Sequence, residues 1–183
     1  QSICFVVQQP KLREIFAADF RDRVVHHVLI EHLNMLCEPR FIYDSYACRI
    51  EKGTLNAVRR LERFCRSESK NYTQKIYFFK ADIRKYFDSI DHKILMAIIK
   101  KRVSCPKTIW LIKRILKSQQ TNCKGIRLEQ AQGLPIGNLT SQLFANIYLH
   151  ELDEFLKHRL RVKFYIRYVD DFIIVSKGRE YLV

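Results

Sequence analysis

Acid is the scarce charge in this 183-residue chain: 19 Asp and Glu stand against 33 Lys and Arg, leaving a formal charge of +14. Such an excess points to a polyanionic partner, nucleic acid foremost. Closely paired cysteines are lacking as well. The six lie at positions 4, 37, 48, 65, 105 and 123, and no two form a Cys-x-x-Cys pair, which argues against a zinc site or a thioredoxin-like motif. Several fall inside apolar patterns, where cysteine acts as a small hydrophobe, and a reduced cytoplasmic compartment fits best. No stretch of 18 apolar residues and no signal segment is found, so no membrane span is expected. Internal repeats and low-complexity linkers are also missing.

What is present is apolar material for a substantial core: 48% of residues are hydrophobic, enough for one domain or one domain plus a small lobe. The chain starts inside an apolar run, Ile3 to Val7, and stops soon after another, Ile173 to Val175, so a fragment of a longer protein is expected. The first run reads as a strand, with a return strand starting near Ile15 and Phe16. Asp22 is placed to cap a helix with Val24, Val25, Val28, Leu29, Leu33 and Leu36 on one face, and Pro39 follows it. Thr54 is placed to cap a second helix, with Leu55, Val58, Leu61 and Cys65 inward and Arg59, Arg60, Arg63 and Arg66 outward. Lys75 to Ile83 reads as a strand. Asp91 suits the N-cap of a helix carrying Ile94, Leu95, Ile98 and Ile99, and Pro106 the first turn of another carrying Ile109, Ile112, Ile115 and Leu116. Two glycines and a proline make 132–140 a loop, and a helix over 140–158 follows, with Leu143, Phe144, Ile147, Leu152 and Phe155 as core. Strands and helices mix without strict βαβ alternation, which favours an α+β fold.

The chemistry gathers on three aspartates. Residues 164–175 read Phe-Tyr-Ile-Arg-Tyr-Val-Asp-Asp-Phe-Ile-Ile-Val, two strand-like runs with Asp170 and Asp171 between them, a hairpin with acids at its tip. Adjacent carboxylates near apolar strands repel, and a divalent cation is the usual compensation. Asp82 likewise ends an apolar strand. If the two strands are neighbours, Asp82 and Asp170 can share two Mg²⁺ ions about 4 Å apart, an arrangement that clamps the attacking and leaving oxygens of an in-line phosphoryl displacement. Successive strand side chains face opposite ways, so Asp170 is expected as the direct ligand and Asp171 as secondary.

At these residues the chain resembles the reverse transcriptases. Phe79-Lys80-Ala81-Asp82-Ile83 with Phe87-Asp88 is similar to their first palm motif, Tyr168-Val169-Asp170-Asp171 to their Tyr-x-Asp-Asp box, and Gly133 to Gln142 to the motif beneath template and incoming nucleotide. Upstream, Arg21 to Val25 and Phe41 to Gly53 resemble finger motifs of the bacterial enzymes. The resemblance implies a right-hand fold of fingers and partial palm, with an antiparallel palm sheet packed on helices and no thumb. Residues 1–74 would be fingers, and 75–183 palm with interspersed finger helices. It also implies a cytoplasmic, bacterial or phage-encoded enzyme that uses an RNA template, a DNA primer and two Mg²⁺ ions, bound only with substrate. Later palm motifs and a thumb would lie beyond Val183, so residues 1–183 alone are expected to extend primers poorly.

The middle motif departs from the retroviral and group II intron form. Ile136 stands where those enzymes carry Gln, and Gln142 where they carry Pro. The form Ile-Gly-Asn-Leu-Thr-Ser-Gln is similar to reverse transcriptases of diversity-generating retroelements, which copy RNA with frequent errors at adenine; that resemblance implies an accessory variability protein as a further partner. Isoleucine at 136 offers no polar contact to the nucleotide, so polar discrimination weakens.

By the same resemblance, the catalytic set is Asp82, Asp170 and Asp171, and the metal set adds Ile83. Lys11 and Arg13 are assigned to the triphosphate, Phe87 to a gate below the sugar, and Ile136, Gly137 and Gln142 to the nucleotide pocket. Arg49 either contacts template phosphate or braces the fingers. Arg59 and Arg63, with Lys113 in a stretch of seven Lys/Arg and no acid over 100–117, are expected to touch nucleic-acid backbone without reading sequence. The rival readings are a group II intron or retron-like reverse transcriptase, a non-catalytic nucleic-acid-binding module on a polymerase fold, and, more distantly, a Mg²⁺-dependent nuclease.

Overall fold

The computed structural model of the chain describes residues 3–8, 13–118 and 132–182. Helices and two separate antiparallel sheets share the chain, an α+β architecture. The backbone divides into two compact units, residues 1–40 with 85–148 and residues 41–84 with 149–183. The boundary expected at residue 74 therefore falls inside the second unit.

The first unit opens with a two-stranded antiparallel hairpin, β1 (Ile3–Val7) and β2 (Arg13–Ala17), in register from Ile3↔Ala17 to Val7↔Arg13. The helix that follows, α1, spans Phe20–Cys37 and is capped by Asp19, one turn ahead of the expected Asp22, which instead places its acid in the first turn. Its buried stripe is His26, Leu29, Ile30, Leu33 and Cys37. Leu29 and Leu33 are buried as expected, but Val24 and Val28 lie half a turn away from that stripe and are exposed, as is Val25, so the buried face is rotated away from the valines. His26 is buried and His27 exposed.

The second unit begins with an irregular segment after a 3₁₀ turn at Glu38–Arg40, then α2 (Gly53–Glu68). Thr54 does not cap α2. The helix starts one residue earlier, at Gly53, whose left-handed φ of +82° turns the chain and whose amide donates to the Tyr46 carbonyl at 2.9 Å. Phe64 is the buried contact of α2, whereas Leu55 and Val58 are exposed. Arg59, Arg63 and Arg66 face solvent as expected, but Arg60 turns inward and pairs with buried Asp44, Nε to Oδ1 at 2.8 Å.

Strand β3 (Tyr77–Asp82) lies in this second unit, and the short α3 (Tyr86–Ser89), α4 (His92–Lys100) and α5 (Pro106–Ser118) return to the first. Asp91 caps α4 as read from sequence, its Oδ1 accepting from the amides of Lys93 at 2.6 Å and Ile94 at 3.1 Å. Leu95, Ile98 and Ile99 of α4 and Ile112, Ile115 and Leu116 of α5 are buried, while Ile94 is exposed. Helix α6 (Leu139–Glu154) ends in a π-helical turn at Phe155–Arg159. Leu143, Phe144 and Ile147 are buried as expected. Phe155 is exposed because the π turn displaces it from the α-helical stripe, and Leu156 takes the buried place.

The second sheet is built from β3, β4 (Phe164–Tyr168) and β5 (Asp171–Ser176), in the order β3-β5-β4, all antiparallel. One face packs Ile42, Leu156, Val162, Tyr165 and Ile174 together, and a second cluster joins Tyr46, Phe64, Phe164, Ile166 and Val175. These two clusters fix the strands whose ends carry the aspartates.

Candidate active site

Asp82 is the last residue of β3, and its cross-strand partner is Asp171, the first residue of β5. Asp171 is also paired with Tyr168 at the end of β4. Only Val169 and Asp170 lie between β4 and β5, so the tip expected from sequence is a two-residue turn with Asp170 at its second position. Both Asp82 and Asp171 are exposed, and Asp170 is half-buried. The condition set from sequence is met: the strands carrying Asp82 and the aspartate pair are direct neighbours.

The electrostatics of the trio are unfavourable as they stand. Burial pushes the Asp170 carboxyl above the usual carboxylate range, and the charges of Asp82 and Asp171 push it the same way. Carboxylates crowded at neighbouring strand ends need a proton or a cation to offset their repulsion. The donor set, hard oxygens at the exposed edge of a sheet, suits Mg²⁺, which takes one or two carboxylates and keeps water or phosphate in its other positions. Among the described residues no group of three or more His, Cys, Asp or Glu is drawn together with metal-ligand spacing, so the assembled feature is the Asp82–Asp170 pair and not a closed cage.

The turn has its own support. Val169 has a φ of +55°, a genuine outlier for a β-branched residue. The Arg167 guanidinium donates from Nη1 to the Val169 carbonyl at 2.9 Å, and from Nε and Nη2 to the two carboxylate oxygens of Asp153 at 2.8 and 2.7 Å. The Tyr165 hydroxyl donates to Asp153 Oδ1 at 2.7 Å and is held protonated by burial and by that carboxylate. Arg167 and Asp153 side chains are both 0% exposed. The backbone of Arg167 is pinned from the other edge: its amide donates to the Asp44 carbonyl at 2.9 Å and its carbonyl accepts from the Tyr46 amide at 3.0 Å. Sequence reading missed Arg167, Asp153 and Tyr165. The available signal was a lone Arg inside an apolar strand, which demands a buried partner; Asp153, flanked by Glu151 and Glu154 in the last turn of α6, did not stand out as that partner.

The residues assigned to the nucleotide lie in the first unit. Gly133 to Gly137 run against α3 and β2. Leu134 donates from its amide to the Phe87 carbonyl at 2.7 Å, Gly133 to the Ile90 carbonyl at 2.9 Å, and His92 Nε2 to the Gly133 carbonyl at 2.6 Å. Phe87 is half-buried, its ring edge-on to Tyr86 at 5.5 Å. The Ile136 carbonyl accepts from the Phe16 amide at 2.8 Å and bridges to Ile15. Gly137 has a φ of +118°, and a Cβ there would stand 2.7 Å from Ile15 Cγ2 and 2.8 Å from the Phe16 carbonyl oxygen. The close approach that this glycine permits is thus to β2 itself. Asn138 locks the same junction, accepting the Ala18 amide at 3.1 Å, and Gln142 is exposed on the first turn of α6.

Of the remaining assignments, Lys11 lies outside the described residues. Arg13 opens β2. Lys113 is exposed on α5. Arg49 braces its own segment, donating from Nη1 to the carbonyls of Ile42 at 2.7 Å and Ser45 at 2.8 Å, its guanidinium over the Phe41 ring. Arg59 and Arg63 line an open cavity of about 530 Å³ with Tyr43, Tyr46, Lys52 and Asn56, and with the acids Glu51 and Glu62. No helix among the described residues is long and apolar enough to cross a membrane.

The chain is similar to several known proteins. Protein YkfC of Escherichia coli is 25% identical over 93% of this chain and 52% of its own length. The group II intron-encoded protein LtrA of Lactococcus lactis is 30% identical over 84% of this chain and 24% of its own length. The chain thus spans about half of one relative and about a quarter of the other. Among solved structures, telomerase from Candida tropicalis in complex with a fragment of telomeric RNA superposes with a TM-score of 0.67 at 16% identity, covering 99% of this chain and 36% of that one. The apo telomerase lacking its C-terminal domain gives 0.63 at 17% identity, covering 99% and 44%. The likeness to these telomerases is one of fold. Residues 8–183 match the profile of the family described as reverse transcriptase (RNA-dependent DNA polymerase), and the chain belongs to that family.

Proposed function

We propose that this protein is an RNA-directed DNA polymerase that adds deoxynucleotides to a primer 3′-hydroxyl. The observation that carries the reading is the placing of Asp82 opposite Asp171 at adjacent strand ends, with Asp170 in the turn beside them, in a member of this family. Bond formation joins the 3′-oxygen to the α-phosphorus of the nucleotide, and the bond to the bridging oxygen breaks, releasing pyrophosphate. Bound Mg²⁺ supplies a lowered pKa for the 3′-hydroxyl and neutralises the leaving pyrophosphate. Asp82 and Asp170 would hold that ion, with Asp171 secondary and Ile83 in the same set. The protein positions and neutralises and forms no covalent intermediate. Phe87, Ile136, Gly137 and Gln142 are assigned to the nucleotide, Lys11 and Arg13 to its triphosphate, and Arg59, Arg63 and Lys113 to nucleic-acid backbone.

Within that activity, Ile136 and Gln142 support copying that is error-prone at template adenine, as in diversity-generating retroelements, with an accessory variability protein as a further partner. The similarity to LtrA supports a second reading, a group II intron type of enzyme. Misincorporation by the full-length protein separates the two: substitutions concentrated opposite adenine support the first, and a faithful copy supports the second. Loss of RNA-templated extension in Asp170→Asn tests the shared activity, since a nucleic-acid-binding module would keep whatever it did before.

A further inference from the structure

We propose that Arg167 is a positioning residue for the aspartate centre, holding the Val169–Asp170 peptide so that Asp170 faces Asp82. The inference rests on the reading of these carboxylates as the nucleotidyl-transfer centre. The Val169 carbonyl and the Asp170 amide belong to one rigid peptide plane. Arg167 Nη1 binds the oxygen of that plane at 2.9 Å, and the amide at its other end is the one from which the Asp170 side chain departs. Fixing the carbonyl therefore fixes the direction from which Asp170 leaves the turn. The turn needs fixing because Val169 sits at φ +55°, where a β-branched side chain is disfavoured and other turn conformers compete.

The chemistry of the pair argues that stability alone does not explain it. A buried ion pair is often matched or surpassed in stability by apolar residues of similar volume. An apolar pair has no donor for the Val169 carbonyl. Lysine would keep the charge but not the planar fork, which here serves Asp153 with Nε and Nη2 while Nη1 serves the turn. Asp153 and Tyr165 orient the guanidinium, and the ties from Asp44 and Tyr46 hold the backbone that carries it.

Primer extension with RNA template tests this in the full-length protein, alongside thermal melting and a Mg²⁺ titration. Arg167→Lys is expected to lower kcat by about 100-fold, the loss that a misplacement near 1 Å brings, with the dNTP KM changed less than about threefold. Its Mg²⁺ requirement rises. Adding Val169→Gly, which adopts positive φ without strain, should recover roughly tenfold of that loss. Should Arg167→Lys not fold, Arg167→Met/Asp153→Leu/Tyr165→Phe keeps a packed core without the donor, and the same loss and the same rescue by Val169→Gly are expected. A wild-type kcat in a folded variant of either kind, or a loss that Val169→Gly leaves untouched, overturns the proposal. Asp170→Asn is run in parallel. Unimpaired extension in Asp170→Asn sinks the underlying reading, whereas a dead Asp170→Asn beside a fully active Arg167→Lys sinks only the role given to Arg167.

Discussion

Asp82 is the cross-strand partner of Asp171, and the half-buried Asp170 stands in the turn immediately before Asp171. Three carboxyls so placed have a thermodynamic consequence in the absence of metal. The folded-state pKa of Asp170 is raised by burial first and by Asp82 and Asp171 next, so the folded protein binds its proton more tightly than the unfolded chain does. The resulting penalty is absent below the ordinary value of 3.8, grows as pH rises through the raised value, and is fully present above it. Asp170→Asn should therefore raise the melting temperature of the metal-free protein at pH 7, by about 2 °C for a partly screened group. That gain should fade as pH falls toward the ordinary carboxylate value. Mg²⁺ added together with primer, template and nucleotide should stabilise the wild type more than Asp170→Asn; thermal melts over a pH series, and with and without that set, check all three.

Gly137 carries a different constraint. Any side chain there must take a φ of +118° and place its Cβ 2.8 Å from the Phe16 carbonyl oxygen. Gly137→Ala should cost roughly 2–4 kcal/mol by strain and overpacking together. A melt lowered by several degrees is the expected outcome.

Asp91 is a cap whose worth is measurable in isolation. Its carboxylate accepts two first-turn amides of α4, so Asp91→Ala should lose about 1 kcal/mol, or roughly 2–4 °C in a chain of this size. Replacement by Ser should recover most of it.

Arg59 and Arg63 are exposed on α2 and line a cavity there that also holds Lys52, Glu51 and Glu62. If they neutralise backbone phosphates, replacing both with Ala reduces the slope of log affinity against log salt by about two. The effect should be the same for unrelated sequences. Binding isotherms at four salt concentrations give the slope directly.

Much of this was legible in the chain because local rules and tertiary structure agree there. Asp91 as a cap, Pro106 in a first turn, and β3, β4 and β5 all follow from short-range pattern, and the aspartates announce themselves as acids ending apolar strands. Errors arose where long-range ties decide. Gly53 starts α2 because its amide reaches the Tyr46 carbonyl, a partner seven residues upstream that no capping rule names. Arg60 looked like one more solvated arginine until Asp44 is seen beside it. The valines of α1 suited a buried face by type, but the stripe is set by His26, Leu33 and Cys37. Arg167 was hidden in the most informative segment of all, since its partner Asp153 is fourteen residues away on another element.

The most direct test is RNA-templated extension of a DNA primer by the full-length protein in Mg²⁺, comparing wild type with Asp82→Asn and Asp170→Asn. The account predicts templated synthesis by the wild type and a loss of at least about 1000-fold in both variants, as expected when charge stabilisation at the reacting phosphate is removed. Synthesis by either variant at the wild-type rate would contradict it.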